Sequence, residues 1–235
     1  MTDNGRRSEL AAALIEVNGR IARACEAAGR AAGEVTLVAV TKTYPASDVV
    51  LLAGLGVTDV GENRDQEAAP KAAEARAAGA APRWHFIGQL QRNKARSVVR
   101  YADVVESVDS VRLAEALARA AQGRPDPLEI LIQVSIDGDP ARGGVTGDDL
   151  WRVSDSVASA DSLRLGGVMA VAPVDWAPDR AFELLRGLSE RLVKSHPSAT
   201  AISAGMSGDL EAAVRHGATH VRIGTSLLGM RNLLR

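Results

Sequence analysis

Val35-Thr36-Leu37-Val38-Ala39-Val40-Thr41-Lys42-Thr43-Tyr44-Pro45 is an apolar run, rich in β-branched side chains, that stops on a lysine. Gly33 before it and Pro45 after it bound a strand with no wet face, the pattern of a parallel sheet covered on both sides. Lys42 then falls at the C-terminal end of that strand. In a (β/α)8 barrel this end is where the loops converge and active sites are built. A lysine half-buried there loses solvation of its charged form, which lowers its pKa and frees an amine able to attack a carbonyl. Position alone favours a plainer reading, a lysine that points to solvent or neutralises a carboxylate. Composition counters it: the chain has 24 arginines and only four lysines, and arginine cannot form an imine.

Outward from this run, short apolar segments alternate with amphipathic ones to the end of the chain. Strands are expected at 35–40, 58–61, 84–88, 104–108, 129–136, 163–171, 201–203 and 220–223, with helices at 47–55, 64–78, 93–101, 111–121, 148–159, 179–195 and 208–216. This βα rhythm with eight strands predicts an α/β fold, a single (β/α)8 TIM barrel, over an open doubly wound sheet. Ser47, Ser110 and Pro178 are read as helix-start signals. Leu10, Leu14, Val17, Ile21, Cys25 and Ala28, three or four apart, make the stripe of an extra N-terminal helix within residues 1–30. The expected organisation is one domain over 1–235, with that helix packed on the barrel.

At 235 residues and 46% hydrophobic content the chain can bury one substantial core. A net charge of −1 gives no overall field for nucleic acid or an anionic membrane. Cys25 is the only cysteine, which excludes an intrachain disulfide and a cysteine-based zinc cluster, and its place on the helix stripe makes it a buried structural thiol. No run is long and apolar enough to span a membrane, and a cytoplasmic location fits.

Two turns near the end of the chain carry chemistry. Ile202-Ser203-Ala204-Gly205-Met206-Ser207-Gly208-Asp209 reads as a strand, a small-residue turn and a helix start, and His220-Val221-Arg222-Ile223-Gly224-Thr225-Ser226 as a strand followed by a second small-residue turn. Small residues let backbone approach a ligand, and free N–H groups attract an anion. Barrels often hold phosphate after strands seven and eight, which closure places beside strand one and Lys42. An amine facing a phosphate cradle suggests pyridoxal 5′-phosphate (PLP), or a sugar phosphate handled by a Schiff-base aldolase.

Val40-Thr41-Lys42-Thr43, Gly61-Glu62-Asn63, the stretch from Trp84 to Lys94, Gly205-Met206-Ser207-Gly208-Asp209 and Val221-Arg222-Ile223-Gly224-Thr225 together resemble the pyridoxal phosphate homeostasis protein family. The resemblance spans almost the whole chain and implies a barrel like the N-terminal domain of alanine racemase. It implies PLP held as an imine on Lys42, phosphate contacts from Ser203, Ser207, Gly224 and Thr225 with Met206 in the same turn, and ring contacts from Asn63 and Arg222. His85 is read either as a cofactor neighbour or as a satisfied core histidine. The implied role is to buffer or deliver PLP within vitamin B6 homeostasis, as a cofactor carrier without the second domain of racemases; the alternative is a PLP-dependent, racemase-like enzyme. Expected partners are PLP and apo PLP-dependent enzymes, with neither nucleic acid nor membrane, and the protein is expected to be a monomer.

Three further features complete the reading. Tyr44 is taken as a packing or rim residue. The other three histidines, His196, His216 and His220, have no metal spacing. Arg92, Lys94, Arg96 and Arg100 form a basic cluster taken as a solvated helix face.

Overall fold

The computed structural model describes residues 3–139 and 142–229. Eight strands, β1 (Thr36–Val40), β2 (Asp59–Glu62), β3 (Arg83–Phe86), β4 (Val104–Val108), β5 (Leu128–Gln133), β6 (Leu163–Met169), β7 (Ala201–Ser203) and β8 (His220–Ile223), close in sequence order into an all-parallel barrel. Closure is made by β8 on β1, with Leu37 opposite Val221 and Val38 opposite Arg222. Helices α1 (Asp3–Ala27), α2 (Ala46–Gly54), α3 (Asp65–Ala77), α4 (Ala95–Val98), α5 (Val111–Ala120), α6 (Asp149–Ala158), α7 (Pro178–Ser195), α8 (Leu210–Arg215) and α9 (Thr225–Leu228) cover the outside.

The main apolar core lies between the strands and this helical layer, where Ala39, Val60, Phe86, Val105, Ile130 and Val168 face outward. Leu10, Leu14, Val17, Ile21 and Cys25 of α1 are buried in the same core, so the N-terminal stripe packs as its spacing requires. Inside the barrel the apolar filling is small, Val104, Leu131 and Met169 with Ala201 beside them, and Val38 and Val40 from β1. Polar side chains fill the rest of the interior, unlike the aliphatic layers usual in such barrels.

Three local expectations change. The helix read at 93–101 is a short 3-10 turn followed by the single turn of α4. α2 begins at Ala46 after Pro45, without Ser47 as its cap, and α8 begins at Leu210 because the Asp209 carboxylate accepts from the Met206 N–H at 2.6 Å and closes the preceding turn. Ser110 does cap α5, its hydroxyl accepting from the Leu113 N–H, and Pro178 opens α7.

Candidate functional site

Lys42 is carried by a tight turn at the end of β1. Val38 and Val40 lie against Gly61 of β2 on the inner face of the barrel, and Lys42 stands two residues past the end of that strand, at the barrel's C-terminal mouth. The turn is closed by the Tyr44 N–H donating to the Thr41 carbonyl at 3.0 Å, and Thr43 adopts a φ of 69°, a left-handed conformation that costs a β-branched residue of order 1 kcal/mol. What holds this turn lies behind it. The Lys71 ammonium, from α3, donates to the same Thr41 carbonyl at 2.8 Å and to Glu62 Oε1 at 2.6 Å, and the Thr41 hydroxyl donates to Glu62 Oε1 at 2.7 Å. Burial pushes the Glu62 carboxyl above its ordinary pKa despite both donors, and its Oε2 has no partner. Removing the ammonium strands a buried carboxylate, at a cost of about 3 kcal/mol, capped because Glu62 can take up a proton. Lys71→Met is therefore expected to lower the urea midpoint at neutral pH and to lose less stability near pH 5, a comparison made by denaturant titration at both values.

A second polar network crosses the barrel beneath the mouth. His85 bridges two carboxylates, Nδ1 to Glu106 Oε1 at 2.7 Å and Nε2 to Asp59 Oδ1 at 2.9 Å. The Ser203 hydroxyl donates to Glu106 Oε2 at 2.6 Å, and Arg222 donates to Ser203 Oγ at 2.7 Å and to the Ala170 carbonyl at 2.8 Å. All of these side chains are buried. Burial opposes the imidazolium, yet the bonds to Asp59 and Glu106 raise its pKa to about 9. Burial likewise opposes the Glu106 carboxylate, but His85, Arg222 and Ser203 pull it down to about 2. Two anions and two cations thus balance within one buried network, which fixes the Arg222 guanidinium in place.

The small-residue turns lie at the same end as Lys42. The Arg222 N–H donates to the Gly205 carbonyl at 2.9 Å, stitching the turn after β7 to β8. Gly224, which follows β8, packs on Val40: a Cβ there would lie 3.5 Å from the Val40 carbonyl oxygen and from its Cβ, an ordinary contact, and its φ of −113° suits any residue. Nothing in the chain itself requires glycine at 224, as close approach of a bound group would. Ser207 is half-buried, and Thr225, Met206 and Asn63 are exposed around the opening. Asn63 is pressed against Gly88, where a Cβ would fall on the Asn63 carbonyl oxygen and side chain. Gly88→Ala is expected to displace Asn63 and to destabilise the fold by about 1–3 kcal/mol through overpacking, measurable as a lowered melting temperature.

Sequence and structure differ at three of the expected site residues. Lys42 is exposed, not half-buried, so the desolvation argument made from its position does not apply; among the described residues it has no hydrogen-bond or ion-pair partner. His85 has both nitrogens committed to carboxylates inside the barrel, which makes it the core histidine and not a ring contact. The Ser203 hydroxyl donates to Glu106 and accepts from Arg222, so in this structure it supports Arg222 from inside the barrel. Tyr44 fastens the rim, its hydroxyl donating to the Gly229 carbonyl at 2.6 Å. Sequence reasoning missed Asp59, Glu62, Lys71 and Glu106. For Glu106 a signal existed, a lone acid inside Val104-Val105-Glu106-Ser107-Val108.

Fold and site together define a barrel of the alanine racemase N-terminal domain type, and the profile of that domain matches residues 18–232. The chain belongs to the pyridoxal phosphate homeostasis protein family. The pyridoxal phosphate homeostasis protein of Mycobacterium leprae (strain TN) is 45% identical over 97% of this chain and 95% of its own. Among solved structures, an unknown protein from Bifidobacterium adolescentis superposes with a TM-score of 0.89 at 33% identity over 97% of both chains. PipY of Synechococcus elongatus PCC7942, solved with PLP bound, gives 0.77 at 34% identity over 83% of this chain and 93% of its own.

Proposed function

We propose that the barrel binds pyridoxal 5′-phosphate at its C-terminal mouth, attached to Lys42, and buffers or delivers it to apo PLP-dependent enzymes. The observation that carries the reading is the seating of Gly224 on Val40, which brings the turn after β8 beside the last residue of β1, two residues before Lys42. The cofactor supplies an aldehyde that a primary amine captures with loss of water, and Lys42 is the amine this reading assigns at that mouth. Ser207, Gly224 and Thr225, with Met206 alongside, offer the small, donor-bearing cradle for its phosphate, while Asn63 and Arg222 flank the ring. PLP in PipY and the names of the relatives support PLP as the ligand of this barrel.

Arg222 decides what such a site favours. Its guanidinium has five N–H groups and no acceptor, and Ser203 and Ala170 engage its two terminal nitrogens from below. Facing a pyridine nitrogen, it donates a hydrogen bond without giving up a proton, so the ring stays unprotonated and draws electrons weakly from a bound amino acid. The two tyrosines do not add a base: Tyr44 donates to Gly229, and Tyr101 is buried against Trp84 outside the barrel. Holding the cofactor suits these groups better than proton transfer at a substrate carbon.

The test is direct. Protein loaded with PLP is expected to show a visible absorbance band, and borohydride followed by peptide mass mapping is expected to place the cofactor on Lys42. Colourless protein that takes up no PLP, or a label on Lys71, Lys94 or Lys194 instead, would overturn the assignment.

A further inference from the structure

The loops after β3 and β4 open onto a groove of about 1080 Å³ that runs down the outside of the barrel between α4 and α5. It exists because α4 is a single turn, where a longer helix would cover the sheet. One wall is α5, which presents Arg112, Ala116, Arg119 and Ala120 at i, i+4, i+7 and i+8, a single face. The other wall carries Arg92, Ala95 and Arg96, and Leu90 and Leu113 form an apolar floor. Lys94 and Arg100 flank this wall in sequence.

Among the described residues Arg92, Lys94, Arg96, Arg100 and Arg112 make no ion pair and no side-chain hydrogen bond, and Arg119 has only Glu115 at 3.9 Å. Asp109 is the one acid lining the groove. A chain of net charge −1 therefore gathers unpaired cations on one concave face, at the end of the barrel that carries Lys42. Cations left unpaired around apolar, alanine-lined space match an occupant that brings its own carboxylates.

We propose that this groove is a docking surface for an acidic amphipathic helix of another protein. The alanines let a helix approach closely, its apolar side covers the partly exposed Ala116 and Ala120 above the buried Leu90 and Leu113, and its carboxylates meet arginines on either side. A nucleic acid would find no aromatic side chain to stack on in this groove. The surface stands independently of the cofactor reading, since none of its residues belongs to the Lys42 mouth.

The probe is a fluorescein-labelled amphipathic peptide of about four helical turns, with glutamates on one face and leucines on the other. Its anisotropy is followed on full-length protein without PLP. Saturable binding that weakens with salt is expected, with affinity lost about tenfold in Arg92→Glu/Arg96→Glu/Arg112→Glu, whose exposed positions leave the core untouched. Ala116→Trp, which fills the groove without altering charge, is expected to abolish binding while the circular dichroism spectrum is retained. Binding unaffected by either variant, no binding, equal binding of a scrambled peptide of the same composition, or tighter binding of an oligonucleotide of equal charge would each overturn the proposal.

Discussion

Lys42→Ala is expected to reduce borohydride-fixed cofactor to background while leaving the apo-protein as stable as the wild type. The side chain is exposed and unpartnered among the described residues, and surface substitutions of that kind change stability by about 0.5 kcal/mol or less. The same variant should lose the response of stability to added cofactor. A ligand present at about 100 times its dissociation constant stabilises the folded state by about 2.7 kcal/mol, which raises the melting temperature by several degrees in the wild type. With the amine gone, only the phosphate cradle and ring contacts remain, and the shift at the same PLP concentration should shrink or vanish. A Lys42→Ala protein that keeps both the visible band and the full thermal shift would place the covalent bond elsewhere and dissolve the role given to the end of β1. Arginine at 42 separates charge from chemistry: it restores a cation at the mouth but cannot condense with an aldehyde, so it too should remain unlabelled.

The barrel was legible because its signals are local. Continuous apolar runs such as Val104–Val108 and Leu163–Met169, separated by amphipathic stretches, need no knowledge of partners to be read as covered parallel strands. The positions of the turns after β7 and β8 at the same end of the barrel as Lys42 were legible for the same reason, since they follow from strand order alone. What the sequence hid is the interior. Asp59, His85, Glu106, Ser203 and Arg222 come from five strands, and only closure of the sheet brings them within hydrogen-bond distance. That is why the network around His85 and Ser203 went unread: each was judged beside its neighbours in sequence, while its partners stand 19 or more residues away on other strands. Lys71 was hidden in another way. On α3 it looks like one of several charges on a solvated helix, and only the depth of Thr41 and Glu62 behind β1 and β2 turns it into a buried pair.

The same buried network makes stability fall at alkaline pH. The His85 pKa is raised from 6.5 to about 9 in the folded protein, so the folded state holds its proton more tightly than the unfolded chain does. The resulting stabilisation is fully present below about pH 6.5 and is lost as pH rises through about 9. A difference of that size corresponds to about 3 kcal/mol. Above the transition, Asp59 and Glu106 face a neutral imidazole, and Glu106 keeps only Ser203 and the guanidinium of Arg222, 3.8 Å away. Urea titrations near pH 6 and near pH 9.5 should therefore show wild type losing about 3 kcal/mol between them. His85→Gln isolates the histidine from every other group that titrates with pH. Glutamine can hydrogen-bond without carrying charge, so the variant should be less stable than wild type near pH 6 by about 3–5 kcal/mol, the penalty for stranding buried carboxylates. It should then show little further loss by pH 9.5, and the two stability curves should converge as pH rises. Parallel curves would mean that His85 carries no proton between Asp59 and Glu106, and that Arg222 alone balances the charge inside the barrel.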